Sequence, residues 1–492
     1  MKSKVLLIVP HQDDELFVGG GLLKLFADSG DYEINVVFTT NGDFFPWEGE
    51  VRLRESLCVL TELYGIEEKN IFFLGYGDCW CGNTHLYNLQ GSQAVWSSCG
   101  RSETYGIAGH EDYRQIKSGK HNVYCRDNFK ADLKELLADI MADIIIAVDY
   151  DKHPDHKAAS LMAEECIGEI LREHPGYQPL VLKRFAYDGV WKGKADFFDL
   201  LHRRTVLSQL EESPYLEEDR ICIGMPPECS TPYLRHNFLY RAAKCYRTQE
   251  VWQKADEVIN IDEVYFRRNT NNLLYEAVLT ASSGKTEFLR DYKLYDCGDV
   301  LQKDFVLKEC AWIPDETDRD RKLHIHFKQP QTIAQINLYA MGNSGKDKLE
   351  GEFVFDNGTR LQTGSIGLTG KKNKLTLESK SGISDIDFCI TNSVGRPVGI
   401  TELEILPERD DVVPEELREF VFREDSFGYH EAHKVGMRIE KAKLSLKRKL
   451  DRWFPNEYVI MRNFPESVQR EGVLFPYRFR YVWERMRGKL GR

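Results

Sequence analysis

The chain of 492 residues is longer than one hydrophobic core usually grows, so two or three domains are expected. With 42% hydrophobic and 29% charged residues, its composition is that of an ordinary globular protein and excludes long disordered regions as the default. The formal net charge of −12 combines an acidic body with a basic tail, because the residues from 437 onward carry 15 Lys and Arg against 6 Asp and Glu.

No stretch reaches the roughly 18 apolar residues that a membrane span needs, and no signal sequence precedes the first predicted strand. The 12 cysteines are scattered without a CxxC pair, which favours reduced thiols. We therefore expect a cytoplasmic protein. The basic tail predicts peripheral contact with an anionic membrane at the inner membrane face, and a solvated charged helix is the alternative.

The first 160 or so residues alternate apolar strand runs with helical patterns. Continuous β-branched runs between helices predict a mostly parallel α/β sheet that is covered on both faces. The predicted strands are KVLLIV, INVVFTT, NIFFLG and DIIIAV, and the predicted helices cover residues 15–27, 51–64, 128–141 and 155–174.

Polar clusters follow four of these strands at the point where each strand ends. They are HQDDE (11–15), TTNGD (39–43), GYGD (75–78) and DYDKHPDH (149–156). Since ligands of parallel sheets bind outside the carboxyl ends of the strands, this edge is the candidate active site. The glycines at 19–21 lack GxGxxG spacing, so we expect neither a nucleotide site nor a nucleic-acid partner.

Three residues at this edge predict a metal site. His11 and Asp14 lie three apart at a strand-to-helix turn, and His156 lies at the matching turn of a neighbouring strand. A catalytic zinc takes three ligands of the His and carboxylate type and keeps a fourth position for water. Each cluster alone is also typical of a helix cap, but their conjunction predicts Zn²⁺, with Fe²⁺ as the alternative metal.

Two further residues complete a hydrolytic site. Asp13, beside a metal-bound water, can accept its proton, and His153, if protonated, can stabilise negative charge on a carbonyl oxygen. This arrangement predicts hydrolysis of an amide or ester.

Substrate contacts are predicted around this centre. Asp43, Arg54 and Asp78 are expected to contact sugar hydroxyls or to line the rim, whereas Arg52 and Glu55 are expected to form a structural pair. The insert over residues 78–127 predicts a binding loop or lid whose aromatic side chains offer stacking surfaces. These side chains are Trp80, His85, Tyr87, Trp96, Tyr105, His110, Tyr113 and Tyr124.

From about residue 272 the pattern changes to short segments that alternate with period two, which predicts an antiparallel β-sandwich. Beyond residue 407 the chain becomes helical and basic. We therefore expect domains at 1–270 and 271–407 and a basic helical region at 408–492. Phe475, Phe479, Tyr481 and Trp483 stand among arginines, which fits interfacial anchoring, with packing on the protein itself as the alternative.

Residues 4–268 resemble the PIG-L/LmbE family of zinc-dependent de-N-acetylases, whose signature is His-Pro-Asp-Asp-Glu after the first strand and His-Pro-Asp-His later. The segments RLRE, FLGYGD, AAKCYRTQ and DEVYF also match in order. The resemblance implies a Rossmann-like fold with His11, Asp14 and His156 as zinc ligands, Asp13 as general base and His153 as oxyanion support. It also implies removal of acetyl from an N-acetylglucosamine-type sugar.

Two positions depart from the family pattern: Gln12 replaces the usual proline, and Tyr246 stands where relatives often carry a histidine. The second domain resembles a galactose-binding or discoidin-like jelly roll in VLTASSG, Trp312 and GITELEIL, with sugar binding as a hypothesis.

We therefore expect a metal-dependent deacetylase acting on an N-acetylated sugar in a glycan or glycolipid precursor. The alternatives are a catalytically inactive carbohydrate-binding scaffold and a deacylase of a non-glycan amide such as an amino-sugar conjugate.

Overall fold

The computed structural model of the protein describes most of the chain. The described residues are 2–78, 86–89, 91–151, 153–186, 214–294, 310–342, 346–395, 398–423, 434–463 and 475–487. The predicted binding-loop residues Trp80 and His85 lie outside them.

The first part of the chain forms a seven-stranded sheet with the strand order β3-β2-β1-β4-β5-β7-β6. Neighbours from β3 to β5 pair in parallel, whereas β7 runs antiparallel to β5 and β6. The strands are β1 Ser3–Val9, β2 Tyr32–Thr40, β3 Ile71–Tyr76, β4 Ile144–Val148, β5 Leu180–Arg184, β6 Arg220–Gly224 and β7 Asp262–Arg268. The predicted mostly parallel α/β sheet is confirmed.

Nine α-helices accompany this sheet within the described residues. They are α1 Asp14–Val18, α2 Gly20–Ser29, α3 Glu48–Cys58, α4 Tyr113–Ser118, α5 Arg126–Ile140, α6 Pro154–Glu173, α7 Pro227–Ser230, α8 Phe238–Ala243 and α9 Ala255–Val258. The helix predicted over residues 15–27 is divided into α1 and α2, because Gly19 leaves the helical conformation with φ −152° and ψ 18°.

The side chains of β1 alternate between two hydrophobic cores. Val5, Leu7 and Val9 lie in one core with residues of α2, α3 and α8, and Leu6 and Ile8 lie in the other with residues of α5 and α6. Successive strand residues point to opposite faces, so an uninterrupted apolar run requires cover on both. Burial of each such side chain stabilises the folded state by about 1.5–3 kcal/mol. It also fixes the strand ends that carry the polar clusters.

The second part of the chain forms an antiparallel sheet built around two long strands. Segments predicted as separate strands merge, since residues 322–342 and 369–394 are each continuous. Register shifts between Thr376 and Asp385 mark irregularities of the kind at which long strands bend. The strands are β8 Val278–Ala281, β9 Lys322–Gly342, β10 Lys348–Phe355, β11 Arg360–Gln362, β12 Ile366–Gly367, β13 Thr369–Val394 and β14 Val398–Leu406.

Buried polar and ionic contacts connect the region of the first sheet with the region of the second sheet. Arg268, at the end of β7, pairs with Glu164 of α6 at 2.7 Å and donates to the Tyr292 carbonyl oxygen at 2.7 Å. Lys372 of β13 pairs with Asp219, just before β6, at 3.0 Å. Because a buried charge without a partner is costly, the Arg268–Tyr292 hydrogen bond and the Lys372–Asp219 pair hold the β-sandwich region against the first sheet.

The basic tail is helical, as predicted. Its helices are α10 Lys434–Trp453, α11 Glu457–Asn463 and α12 Phe475–Met486. Ile460 of α11 and Tyr481 of α12 are buried against each other, so the Tyr481 ring packs on the protein itself. Among the described helices, none combines the length and apolar character needed to cross a bilayer. The domain limits at 270 and 407 remain predictions.

The expectation that every cysteine is a reduced thiol is wrong for Cys310, which is disulfide-bonded. Spacing along the sequence could not reveal this, because pairing depends on distance in the fold.

Gly168 provides a test of the contact between α6 and the second region. A Cβ atom at Gly168 would lie 2.5 Å from the Asp291 carbonyl oxygen and 2.7 Å from the Tyr292 Cβ. We expect Gly168→Ala to lower the free energy of unfolding by about 1–3 kcal/mol in urea denaturation, although alanine favours a helix. Gly367→Ala is the control, since its Cβ would meet no atom within 4 Å. A Gly168→Ala protein more stable than the parent would contradict this contact.

Candidate functional site

Two strand-to-helix turns deliver the predicted ligands to one edge of the sheet. His11 lies in the turn after β1, and Asp14 is the first residue of α1. After β4, His153 caps α6, Pro154 begins the helix and His156 lies in its first turn. Because β1 and β4 are parallel neighbours, these two turns lie side by side.

Asp14 is the meeting point of the two imidazoles. Its Oδ2 lies 3.0 Å from His11 Nδ1 and 3.2 Å from His156 Nε2. All three side chains are buried. The structure therefore brings together the three residues predicted as metal ligands; the ligand role itself remains a prediction.

Each imidazole is held by a second carboxylate on its opposite nitrogen. His11 Nε2 lies 3.1 Å from Asp155 Oδ2, and His156 Nδ1 lies 2.7 Å from Asp151 Oδ2. When a ring nitrogen donates to a carboxylate, the proton stays there and the other nitrogen presents its lone pair. His11 Nδ1 and His156 Nε2 are thereby the ring nitrogens that face Asp14 and that would bind a cation in place of a proton.

Sequence reasoning missed these two orienting carboxylates. Asp151 and Asp155 both stand in the DYDKHPDH segment. Metal-binding histidines usually donate their second ring N–H to a carboxylate or carbonyl, so an acidic residue near a predicted ligand histidine was a usable signal.

The carboxylates of this cluster stabilise positive charge on the two histidines beside them. Burial lowers the pKa of His11, but hydrogen bonds to Asp14 and Asp155 outweigh it and raise that pKa to about 9. Burial likewise opposes protonation of His156, yet Asp14 and Asp151 raise its pKa well above the ordinary value. Burial raises the pKa of Asp14, whereas His156 and His11 lower it to well below the usual range. A bound cation would satisfy the same carboxylates that hold these protons.

Two observations indicate that Asp14, His11 and His156 fit a divalent cation. Asp14 Oδ1 is buried and has no hydrogen-bond partner among the described residues. The separations of about 3 Å around Asp14 Oδ2 are close to the roughly 3.3 Å between neighbouring ligands in a tetrahedral site with bonds near 2 Å.

Among the described residues, two sets of three side chains come close enough to hold a metal, and neither set includes Asp14. Ligand atoms of His11, His153 and His156 lie within 4.8 Å of one another, as do those of His11, Asp78 and Asp155. His11 belongs to both sets, so it is the common element of any metal site at this edge.

Asp13 sits in a strained backbone conformation next to the predicted ligands. Its φ of 132° is rare for a residue with a side chain, and such strain is concentrated at functional sites. Burial and Asp14 raise the pKa of Asp13, whereas Arg52 lowers it through the pair between Arg52 Nη2 and Asp13 Oδ1 at 3.2 Å. A buried carboxylate that is oriented by a cationic neighbour is a suitable proton acceptor.

Arg52 braces the turn that carries Asp13. It donates to the carbonyl oxygens of Gln12 at 3.0 Å and Gly42 at 3.1 Å, which links the turns after β1 and β2. Gly42 is needed here, because a Cβ atom would lie 2.6 Å from the Arg52 guanidinium carbon. Glu55 accepts from the backbone N–H of Thr248 at 3.1 Å. The expected structural pair of Arg52 and Glu55 does not explain these contacts. Arg52 contacts the turn that carries Asp13, whereas Glu55 contacts Thr248.

The two departures from the family pattern have structural roles. Gln12 donates through Nε2 to the Thr40 carbonyl oxygen at 2.7 Å and so ties the turn to β2. Tyr246 is fully buried, and its hydroxyl donates to Glu15. Glu15 in turn accepts from the Asp13 backbone N–H at 3.0 Å. Tyr246 therefore supports the turn from behind.

His153 lies against both predicted ligand histidines, with ring centroids 4.6 Å from His11 and 4.8 Å from His156. Its Nδ1 accepts from the Asp155 backbone N–H at 3.2 Å. Burial and the two neighbouring imidazoles lower the pKa of His153 to about 2. The condition of a protonated His153 is therefore not met, and the neutral ring carries its proton on Nε2 as a hydrogen-bond donor.

The predicted substrate contacts fall in different surroundings. Asp43 is buried, and its carboxylate accepts from the Asp78 backbone N–H at 2.8 Å and from the Tyr105 hydroxyl at 3.0 Å. Burial and Asp155 raise the pKa of Asp78 to about 7, and its Oδ2 lies 4.0 Å from His11 Nε2. Arg54 is 56% exposed on α3, two residues from Arg52 and thus on a different face. Substrate contact by these three remains a prediction.

The predicted stacking surfaces of the aromatic insert are wrong for four tyrosines. Tyr87, Tyr105, Tyr113 and Tyr124 are buried, because the insert packs against the sheet instead of presenting them to solvent. Trp96, in contrast, is 73% exposed.

Residues 6–167 match the family model described as PIG-L: GlcNAc-PI de-N-acetylase, so this part of the chain is a PIG-L domain. The matched range contains both polar turns described above and the insert between them. A comparison with curated proteins found no match.

Solved structures similar to part of this chain are carbohydrate-binding modules. A family 32 module of NanJ from Clostridium perfringens, in complex with galactose, is 16% identical, with 27% of this chain and 95% of that chain covered and a TM-score of 0.21. A family 32 module of EndoD from Streptococcus pneumoniae is 12% identical, with 28% and 99% covered and a TM-score of 0.21. TM-scores this low carry no argument about function.

Asp151 offers a test of the orienting contacts. We expect Asp151→Asn to weaken zinc binding about tenfold or more in competition with a chromophoric chelator, because the neutral amide supports His156 less well. Asn keeps the acceptor that the His153 backbone N–H uses.

Asp149→Asn is the matched control, since the Asp149 carboxylate accepts from the Tyr215 hydroxyl at 2.7 Å in the same loop. Equal zinc affinity in the parent and Asp151→Asn proteins would contradict the orienting role of Asp151.

Proposed function

We propose that this protein is a metal-dependent hydrolase that removes the acetyl group from an N-acetylglucosamine-type sugar. The observation that carries the proposal is the convergence of His11 and His156 on Asp14, with Asp13 alongside. All four residues lie inside the range that matches the PIG-L family model, whose description names a GlcNAc-PI de-N-acetylase.

His11, Asp14 and His156 would hold the cation. Two nitrogens and one carboxylate are a ligand set that zinc takes in hydrolytic sites, and Fe²⁺ accepts the same donors. When bound, such a cation supplies Lewis-acid assistance to the attack of water on an amide carbonyl. Asp151 and Asp155 keep the two imidazoles in the tautomers that this requires.

Asp13 acts as the general base. It takes a proton from the attacking water while the new C–O bond forms at the acetyl carbonyl carbon. It then passes that proton to the sugar nitrogen as the C–N bond breaks, which leaves acetate and a free amine. Arg52 keeps the Asp13 carboxylate oriented, and proton transfer of this kind contributes about 10²–10⁴-fold to a rate.

His153 stabilises the charge that develops on the carbonyl oxygen. Its Nε2–H donates a hydrogen bond, and its position is set by the Asp155 backbone N–H on the other nitrogen. A neutral donor serves here, because a hydrogen bond to a developing oxyanion in a buried site is worth about 3 kcal/mol.

We further propose that the sugar belongs to a glycan or to a glycolipid precursor. Acetate release and free-amine formation on N-acetylhexosamines, chitooligosaccharides and lipid-linked N-acetylglucosamine, each with and without a chelator, tests this. Release confined to a non-sugar N-acetyl compound would favour the deacylase of another amide, and no release with full zinc loading would favour the inactive scaffold.

Adjacent carboxylates allow a sharp test of the assigned roles. We expect Asp13→Asn to retain stoichiometric zinc but to lower kcat about 10²–10⁴-fold, because the amide cannot accept the proton. Asp14→Asn should instead lose zinc affinity. Metal content by elemental analysis and acetate release measured on the same samples provide both readouts. Parental turnover in Asp13→Asn would show that another group is the base.

A further inference from the structure

Helix α10 presents its apolar side chains to solvent. Ile439, Leu446, Leu450 and Trp453 are 47–58% exposed. At 100° per residue these four positions fall within about 60° of arc and extend over about 21 Å of helix, so they form a single stripe. A surface helix normally turns such a stripe towards the protein core.

The opposite face of α10 is the one that packs on the protein. Leu444 is buried in the core of the first domain. Lys447 Nζ lies 3.3 Å from the centroid of the Trp252 ring, and Arg448 donates to the Gln253 carbonyl oxygen. The helix is therefore docked by a largely polar face. Ile439, Leu446 and Leu450 of its apolar stripe are exposed to solvent, and Trp453, at the end of the stripe, also lines a pocket beside Trp252.

Charge is divided between the same two faces. The helix carries Glu440 and Asp451 on its packed side, where they accept from Lys443 at 2.6 Å and Lys447 at 2.7 Å. Cationic side chains flank the solvent-facing stripe on both sides: Arg438, Lys443, Lys449 and Arg452. The outward half of α10 thus combines an apolar stripe with positive charge and carries neither of the two carboxylates.

Two exposed aromatic side chains belong to the same basic tail. Phe454, directly after α10, is 75% exposed, and Trp483 of α12 is 53% exposed. The guanidinium carbon of Arg487 lies 4.5 Å from the centroid of the Trp483 ring. Aromatic rings beside cations are typical of segments that rest at the level of lipid headgroups.

We propose that the outward face of α10, defined by Ile439, Leu446, Leu450 and Trp453, docks on an anionic phospholipid bilayer. The stripe inserts among the acyl chains near the headgroups, and the flanking cations pair with lipid phosphates and carboxylates. A second copy of the chain would place these cations against each other, so charge complementarity favours an anionic lipid surface.

The docked tail also contacts the carboxyl edge of the first sheet. Tyr458 of α11 stacks on Trp47 with ring centroids 5.8 Å apart, and Arg462 pairs with Glu48. Trp47 ends the turn between β2 and α3, which contains Asp43, and Glu48 is the first residue of α3. Membrane docking therefore places a bilayer next to the elements that carry the candidate site.

Vesicle flotation with the full chain tests this proposal independently of catalysis. We expect co-flotation with phosphatidylcholine vesicles containing about 30% phosphatidylserine, little with pure phosphatidylcholine, and loss of binding as salt is raised. The double variant Leu446→Ser/Leu450→Ser should reduce the bound fraction about tenfold or more, because two inserted side chains are lost.

Ile116→Ser/Val412→Ser is the matched control, since both residues are apolar and exposed away from α10. It should float like the parent. Equal flotation on neutral and anionic vesicles, or unchanged flotation of the α10 variant, would overturn the proposal. A parent that ignores vesicles but forms a dimer abolished by the α10 variant would also overturn it, with a second copy as the occupant.

Discussion

The candidate site depends on one buried contact: two imidazoles from different turns face the same oxygen of Asp14. Neither ring could take that position alone, because a buried histidine can rotate or change tautomer unless its second nitrogen is held. Asp155 and Asp151 hold those nitrogens. Five charged or ionisable groups are thereby confined in a buried space, where each depends on the others for charge compensation.

The fold brings these groups together through parallel pairing of β1 with β4. The buried apolar residues of β1 and β4 fix the positions at which the two turns leave the sheet. In each case the following helix begins within a few residues. The turn after β1 is strained at Asp13 and is supported by contacts from three directions: Arg52, the Gln12 amide on β2 and the Tyr246–Glu15 hydrogen bond. Such support is what allows an unfavourable backbone conformation to persist.

Strand and helix patterns predicted the first sheet, and the order of the polar clusters predicted the sheet edge at which His11, Asp14 and His156 come together. Both predictions were possible because apolar periodicity and the ends of strands are determined by residues that are neighbours in the sequence. The role of Arg52 and the burial of the insert tyrosines depended on contacts between distant segments, which periodicity does not encode. The merging of β9 and β13 from shorter predicted strands has the same origin, because a long partner strand bridges an interruption in the pattern.

The most direct measurement is a crystal structure of the zinc-loaded protein with anomalous diffraction collected at the zinc edge. The account predicts one strong anomalous peak bonded to His11 Nδ1, His156 Nε2 and Asp14. A peak bonded instead to His11, Asp78 and Asp155, or the absence of a peak at this edge from fully loaded protein, would contradict it.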